Sequence, residues 1–340
     1  MAWWSPFGML STWRDEDSSR DCCKWKGIQC DNQTGHVTIL RLSFFEWYTE
    51  YHFIVSLAKY STFATQSKFF FGSDIPQIIA SLTNLRYLNL TDSGFGGNIP
   101  TQLGSLTHLR YLDLSYNYLN GELPYQLGKL SQLRYLDLTG NSFFGALPFQ
   151  VGNLPFLHTL GLEGNFDLKP KDAEWLSNLY YLTNIKFYSL PNPDWLQTIK
   201  FPKLRELRLV DCSLLDTHIQ SLHHSNFFTS LTILDLSFKM LTSSTLQSLS
   251  NFSLNLQELY LSYNNIDSFL ISTTSITNSL SSLFILDLSF NMLKSSSIFY
   301  WLFNSTTNIR TLDLYGNVLG GPIPDEFGNV MNSLEVLELS

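Results

Sequence analysis

Seven histidines, four cysteines and one glycine-rich run are the residues through which this chain could do chemistry. Zinc hydrolysis of the HExxH kind needs two imidazoles one helical turn apart with a glutamate between them. His36, His52, His108, His158, His218, His223 and His224 show no such spacing, and no cysteine stands near His218 or the His223-His224 pair. A phosphate cradle needs a glycine loop followed by Lys and Ser or Thr. Gly94-Phe-Gly-Gly97 lacks that sequel and reads as a structural turn. The recurring Asp-Leu-Ser at Asp113, Asp235 and Asp287 repeats together with its surroundings, so its carboxylates are scaffold rather than an acid–base pair. Neither HRD nor DFG occurs, which leaves no kinase within these residues. The expectation is a chain without catalytic residues, metal or cofactor, and therefore one that binds.

The element that positions these residues is a repeat. About 60 of the 340 residues are leucine, roughly double ordinary usage. Leu109-Arg-Tyr-Leu112-Asp-Leu114-Ser-Tyr-Asn117-Tyr-Leu119 recurs 24 residues on as Leu133-Arg-Tyr-Leu136-Asp-Leu138-Thr-Gly-Asn141-Ser-Phe143. The frame LxxLxLxxNxL fits again from Leu85, Leu157, Leu182, Leu204, Leu231, Leu256, Leu283, Ile309 and Leu334. This identifies leucine-rich repeats. A further frame opens at Val37, and a degenerate one is expected between them at Tyr60-Ser-Thr-Phe63-Ala-Thr65. The count is about thirteen frames, the second degenerate and the last cut off at Ser340.

One coil cannot bury its own leucines, whereas a stack makes a continuous core. In LxL the alternation sends leucine inward and its neighbours outward. The Asn that follows bends the chain, and its amide can satisfy backbone groups that the turn buries. Gly-x-Ile/Leu-Pro then carries the chain across the back. The expected fold is α/β: a right-handed solenoid with a parallel β-sheet on a concave face and irregular or 3-10 back segments. Residues 1–36 form its cysteine cap and residues 37–340 the coils, as one elongated domain.

The outward residue between the two inner apolar positions runs Asn89, Asp113, Asp137, Gly161, Lys186, Arg208, Asp235, Tyr260, Asp287, Asp313, Glu338. Acid is the default, and the fourth to eighth coils depart from it. Arg and Tyr dominate binding hot spots, so Lys186, Tyr188, Arg205, Arg208, Glu258, Tyr260 and Tyr263 are the candidate ligand contacts, with His158 and Glu163 beside them. As outward side chains they are expected to add little to stability. Arg110-Tyr111 and Arg134-Tyr135 recur so regularly that they read as scaffold, and Trp175, Trp195 and Trp301 as packing.

Asp21-Cys-Cys-Lys-Trp-Lys-Gly-Ile-Gln-Cys30 precedes the first coil, and a solenoid end must be capped. Two cysteines seven apart around a tryptophan make a compact cap, which pairs Cys23 with Cys30 and indicates an oxidising compartment. Cys22 is left over, its partner expected upstream in a longer parent. Cys212 falls in the Asn position of its coil and reads as a buried thiol. Sequons at Asn32, Asn89, Asn251 and Asn304 are candidate glycosylation sites and agree with secretion. The first residues carry no basic, apolar leader, and the longest apolar run, Ile298 to Phe303, is far too short to span a membrane. With a net charge of −8, nucleic acid and anionic membrane surfaces are excluded as partners. The chain reads as a fragment that begins one cysteine short and stops inside a repeat.

Gly8-Met-Leu-Ser-Thr-Trp13, followed by the cysteine segment, resembles the N-terminal cap of plant leucine-rich-repeat receptors. Gly97-Asn-Ile-Pro100 and Gly321-Pro-Ile-Pro324 resemble the back segments of the plant extracellular repeats. Trp175-Leu-Ser, Asp194-Trp-Leu-Gln197 and the segment from Pro202 to Cys212 further resemble receptor-like proteins of the ethylene-inducing-xylanase-receptor type. The resemblance implies the extracellular, ligand-recognising part of a plasma-membrane defence receptor. Its ligand would be a peptide, protein or glycan, and its partner kinase would be recruited through parts absent from this chain. The ectodomain of a receptor kinase and a secreted polygalacturonase-inhibitor-like protein are the alternatives on the same scaffold.

Overall fold

Each LxL segment becomes a strand, most of three to five residues, because alternation leaves one apolar row to bury and neighbouring strands to supply the backbone hydrogen bonds. The computed structural model describes residues 21–42, 72–166, 170–191, 193–197, 201–221, 230–250, 255–268, 282–294, 298–299, 302 and 308–339. They fall into two compact units, Met1–Asp167 and Leu168–Ser340.

In the first unit, β1 (Ile28–Cys30) runs antiparallel to β2 (Val37–Arg41) and closes the edge of the sheet. From β2 the strands are parallel: β4 (Tyr87–Asn89), β6 (Tyr111–Asp113), β8 (Tyr135–Asp137) and β10 (Thr159–Phe166). A second parallel ladder joins β3 (Ser73–Asp74), β5 (Phe95–Gly97), β7 (Tyr118–Gly121), β9 (Ser142–Gly145) and the end of β10. The glycine run thus belongs to a structural strand: Gly97 is left-handed (φ 66°), and a Cβ there would strike the Asp74 carboxylate. Each back segment then turns at Pro76, Pro100, Pro124 or Pro148, whose fixed φ leads into a short 3-10 helix. The cap holds the expected Cys23–Cys30 disulfide, with Cα atoms 5.5 Å apart, and Cys22 is a free thiol beside it.

One expectation is corrected here. Residues 60–65 lie outside the described residues, but β2 and β4 are bonded directly, with Ile39 opposite Tyr87 and Arg41 opposite Asn89. Arg86 N–H donates to Thr38 C=O, Leu42 N–H to Asn89 C=O, and Ser93 Oγ to Leu42 C=O. No strand can stand between two strands that share these bonds, so β2 and β4 are direct neighbours and the expected intervening rung is not there.

The second unit carries seven parallel strands: β11 (Asn184–Tyr188), β12 (Glu206–Val210), β13 (Ile233–Asp235), β14 (Glu258–Tyr260), β15 (Ile285–Asp287), β16 (Thr311–Asp313) and β17 (Val336–Glu338). Helices Asp216–Ser221 and Ser243–Ser250 occupy back segments. Trp195 packs edge-on against Phe187 at 5.3 Å and is buried, as is Trp175; Trp301 lies outside the described residues.

The turn after several of these strands is held by an asparagine. Asn264 Nδ2 donates to the carbonyls of Leu236 (3.1 Å) and Leu261 (3.0 Å), one in the preceding coil and one in its own, while its Oδ1 accepts from Leu241 N–H (3.1 Å). Asn117, Asn141, Asn291 and Asn317 repeat the pattern. Cys212 fills the same position, donating its thiol to Phe187 C=O at 3.2 Å, and burial pushes that thiol up to about 12. It is therefore inert at neutral pH. Replacing Asn264 with alanine strands these backbone groups and should destabilise the chain by about 2–3 kcal/mol. An unchanged urea midpoint in Asn264→Ala would exclude this account.

Candidate functional site

The parallel register makes each outward position a column. In the second unit Lys186, Arg208, Asp235, Tyr260, Asp287, Asp313 and Glu338 face one another rung by rung, as the frames predict. Asn184, Glu206, Ile233 and Glu258 form the adjacent column. The candidate contacts Lys186, Tyr188, Arg208, Glu258 and Tyr260 thus share one face of five-residue and three-residue strands, with Arg205 exposed just before β12 and Tyr263 exposed just after β14.

Arg208 is committed to its neighbours. Its Nε donates to Glu206 Oε1 at 2.6 Å and its Nη1 to Asp235 Oδ2 at 3.2 Å, with the side chains only 22% and 11% exposed in each pair. The guanidinium also lies over the Tyr260 ring, 5.2 Å from its centroid. Asn184 donates to the other oxygen of Glu206. Burial alone would raise the Glu206 carboxyl, but the bonds from Arg208 and Asn184 and the charge of Lys186 hold it below the usual carboxylate range. Tyr260 donates to Glu258 Oε2 at 2.9 Å, and burial together with that carboxylate pushes its phenol up to about 12.

Two sequence expectations change. Arg208 does not stand free on the face but closes a half-buried network, so it contributes to stability as well as to the surface. Glu206, Asn184 and Asp235 belong to that network and were not among the candidates. The signal existed: Glu206 and Arg208 are two apart in a strand, which puts opposite charges on the same side. Lys186, by contrast, makes no hydrogen bond or ion pair among the described residues and remains presented to solvent beside Glu206.

In the first unit the column reads Arg41, Asn89, Asp113, Asp137, Gly161. A Cβ at Gly161 would meet Asp137 Oδ1 at 2.4 Å, so a side chain there would require that carboxylate to shift. The scaffold tyrosines Tyr87, Tyr111 and Tyr135 stack at 4.2 Å with Arg41 over the end ring, and Tyr111 and Tyr135 donate to Asp113 and Asp137. His158 and Glu163 also lie here, and Glu163 Oε2 accepts from Gly140 N–H at 2.7 Å. The Asn89 sequon is corrected. That side chain is 5% exposed and accepts from Thr91 N–H within the buried column, so a glycan has no room on the folded chain. Asn32 is exposed in a turn, and Asn251 and Asn304 lie outside the described residues.

Parallel strands in register, inner leucines and a buried asparagine at each turn define a leucine-rich-repeat scaffold whose outward columns are available for recognition. The chain belongs to the leucine-rich-repeat family: residues 125–319 match the leucine-rich repeat region, 83–143 the leucine rich repeat and 2–31 the leucine rich repeat N-terminal domain. It is 33% identical to Receptor-like protein EIX1 of Solanum lycopersicum over 98% of this chain and 24% of that protein. Receptor-like protein EIX2 of the same plant is 36% identical over 26% of this chain and 9% of its own length. The chain thus spans about a quarter of EIX1. Among solved structures it is similar to the ectodomain of the Arabidopsis receptor kinase HAESA in complex with an IDA peptide hormone, with TM-score 0.65 and 25% identity, covering 98% of this chain and 50% of that one. The expected likeness to plant receptor-like proteins is therefore found. Among the described residues no helix is long and apolar enough to cross a membrane.

Removing Arg208 leaves the half-buried Glu206 without its ion pair and held by Asn184 alone, so Arg208→Met should cost about 1–3 kcal/mol, measured by urea unfolding near neutral pH. The folded Glu206 carboxyl titrates below its unfolded value of about 4.3. Its contribution is then complete above that pH and is lost as pH falls through the lower folded value. Glu206→Gln should flatten this acid limb of the stability curve, and an unaltered limb would exclude the pairing.

Proposed function

We propose that the chain is the ligand-recognising, extracellular part of a plant receptor-like protein, displayed at the plasma membrane and signalling in defence through a partner kinase. The observation that carries it is the β11–β14 face, where Lys186, Tyr188, Arg205, Glu258 and Tyr260 surround a pre-organised Glu206–Arg208–Asp235 network. A network already satisfied within the protein holds its side chains in place before a ligand arrives, which lowers the entropy cost of binding. The cap disulfide and the exposed Asn32 sequon support secretion. Likeness to EIX1 and to an ectodomain described with a peptide hormone supports a peptide or protein as ligand. The reading is of a binding module without enzymatic activity.

The chain made in a secretory plant host should carry a glycan removed by Asn32→Gln, retain the Cys23–Cys30 bond and bear no glycan at Asn89. Immobilised, it is offered purified microbial xylanase and, separately, an IDA peptide. Saturable binding of one, weakened about tenfold or more by Lys186→Ser with Arg205→Ser at unchanged melting temperature, is the expected result. Binding that this double variant leaves intact would remove the face from consideration, and free Cys23 and Cys30 thiols would end the extracellular assignment.

A further inference from the structure

The Arg-Tyr pairs that recur in the first unit also build a charged row. Arg86, Arg110 and Arg134 stand one residue before β4, β6 and β8, and all three are exposed. Backbone bonds fix them on successive rungs: Arg86 N–H donates to Thr38 C=O, Arg110 N–H to Arg86 C=O and Arg134 N–H to Arg110 C=O. Among the described residues none of the three guanidinium groups makes a hydrogen bond or ion pair. Like charges on neighbouring rungs repel. In the second unit the corresponding column is interrupted by Thr232, Gln257 and Phe284, and Arg310 meets Glu335 of the next rung at 3.7 Å.

The acids near this row have their oxygens occupied within the protein. Asp113 and Asp137 are buried; Oδ1 of each accepts from the hydroxyl of Ser115 or Thr139, and Oδ2 from Tyr111 or Tyr135. Asp31, within reach of the Arg86 charge, accepts from Gln33 and Thr34. Along each strand a tyrosine separates the arginine from the acid. The stacked rings cover one another's faces, so they offer the row an apolar border of ring edges. At the end of the stack Arg41 lies over Tyr87 at 4.7 Å, and its buried Nε has no hydrogen-bond partner among the described residues. The net charge of −8 is an average over the chain, and this strip runs against it.

The rung spacing selects among polyanions. Successive guanidinium groups rise from backbones about 4.8 Å apart. An extended acidic peptide presents same-side carboxylates about 6.6 Å apart, and is out of step by about 3.6 Å at the third rung. A linear chain of uronic acids carries one carboxylate per sugar ring, and each ring advances the chain by roughly one rung. Every guanidinium can then take one carboxylate through two parallel N–H bonds.

We infer that the exposed row Arg86, Arg110 and Arg134, bordered by the tyrosine stack, is a docking site for a linear polyuronate of the plant cell wall. The row lies in the first unit and holds whether or not the β11–β14 face takes a ligand. Only the wall as the source of the polymer rests on the extracellular plant placement proposed above.

The probe is a linear oligomer of about six galacturonic acid units, titrated into the secreted chain by calorimetry at low salt, where exposed charges are least screened. It should bind, and should weaken steeply as salt rises. The methyl-esterified oligomer, equal in length but uncharged, and a glutamate peptide of the same charge should each bind about tenfold or more weakly. Arg110→Gln with Arg134→Gln should lower affinity about tenfold or more, while the melting temperature holds or rises as repulsion is relieved. Arg110→Lys with Arg134→Lys keeps the charges without the paired donors and should fall between. Arg310→Gln should change nothing. Plant cell-wall fragments should retain the chain, and the free oligomer should release it. Equal binding of the ester or of the glutamate peptide, full affinity in the double glutamine variant, or an equal loss in Arg310→Gln would overturn the inference. Oligomer binding without retention on the fragments would overturn the wall as the source.

Discussion

Every coil of this chain must turn out of its strand inside the protein, where the carbonyls just past the strand cannot reach water. The buried asparagine amide resolves that constraint. It joins the preceding coil to its own, so that Asn264 bonds both Leu236 and Leu261 and Asn291 both Leu261 and Leu288. Leucine burial drives the stack together but has no direction. The directional bonds of the asparagines fix the rung spacing and hence the register in which the outward side chains meet. Where the asparagine is replaced, the substitutes are informative. Cys212 supplies a single weak donor to Phe187 C=O, the carbonyl equivalent to those an asparagine would reach. Leu190 offers none and is simply buried. Lys239 points its ammonium at Asp211 Oδ1, 2.6 Å away, and so serves a surface pair instead.

Those three replacements fall in the coils of β11, β12 and β13, which also carry the charged network. Here β11 and β12 pair over five residues, from Asn184–Glu206 to Tyr188–Val210. A longer backbone ladder holds these two strands with fewer side-chain bonds at the turn, and it lengthens the face on which Lys186, Arg208 and Glu206 stand. Fold and candidate site are coupled at this point: the coils most divergent from the repeat in their turns are also those most divergent in their outward columns.

Much of this was legible in the residues. Leucine spacing defines the frames, and the rung-by-rung pairing of Lys186, Arg208, Asp235 and Tyr260 follows from aligning them. The disulfide was readable because seven residues around a tryptophan suffice for a compact loop. Three features were not. The segment around Tyr60 fits a frame loosely, and only the direct bonds between β2 and β4 show that no rung stands between them. The Asn89 sequon describes a recognition motif and is silent on burial, although its place between Leu88 and Leu90 puts it in a column that neighbouring rungs cover. Arg208 reads as a free charge because its second partner, Asp235, lies 27 residues away.

The column geometry also explains why charge on this scaffold cannot be judged residue by residue. A rung lies about 4.8 Å from the next, close enough for a partly buried carboxylate to feel the one beside it even in physiological salt. At β12 and β13 the order Glu206, Arg208, Asp235 satisfies the charges internally, and the network serves stability and position. At β15 to β17 the order Asp287, Asp313, Glu338 sets like charges side by side, so the folded state carries their repulsion. Composition counts each of these acids equally in the net charge of −8. Their physical meaning is opposite: the first group has its counter-charge built in, and the second has no cationic side chain paired with it among the described residues.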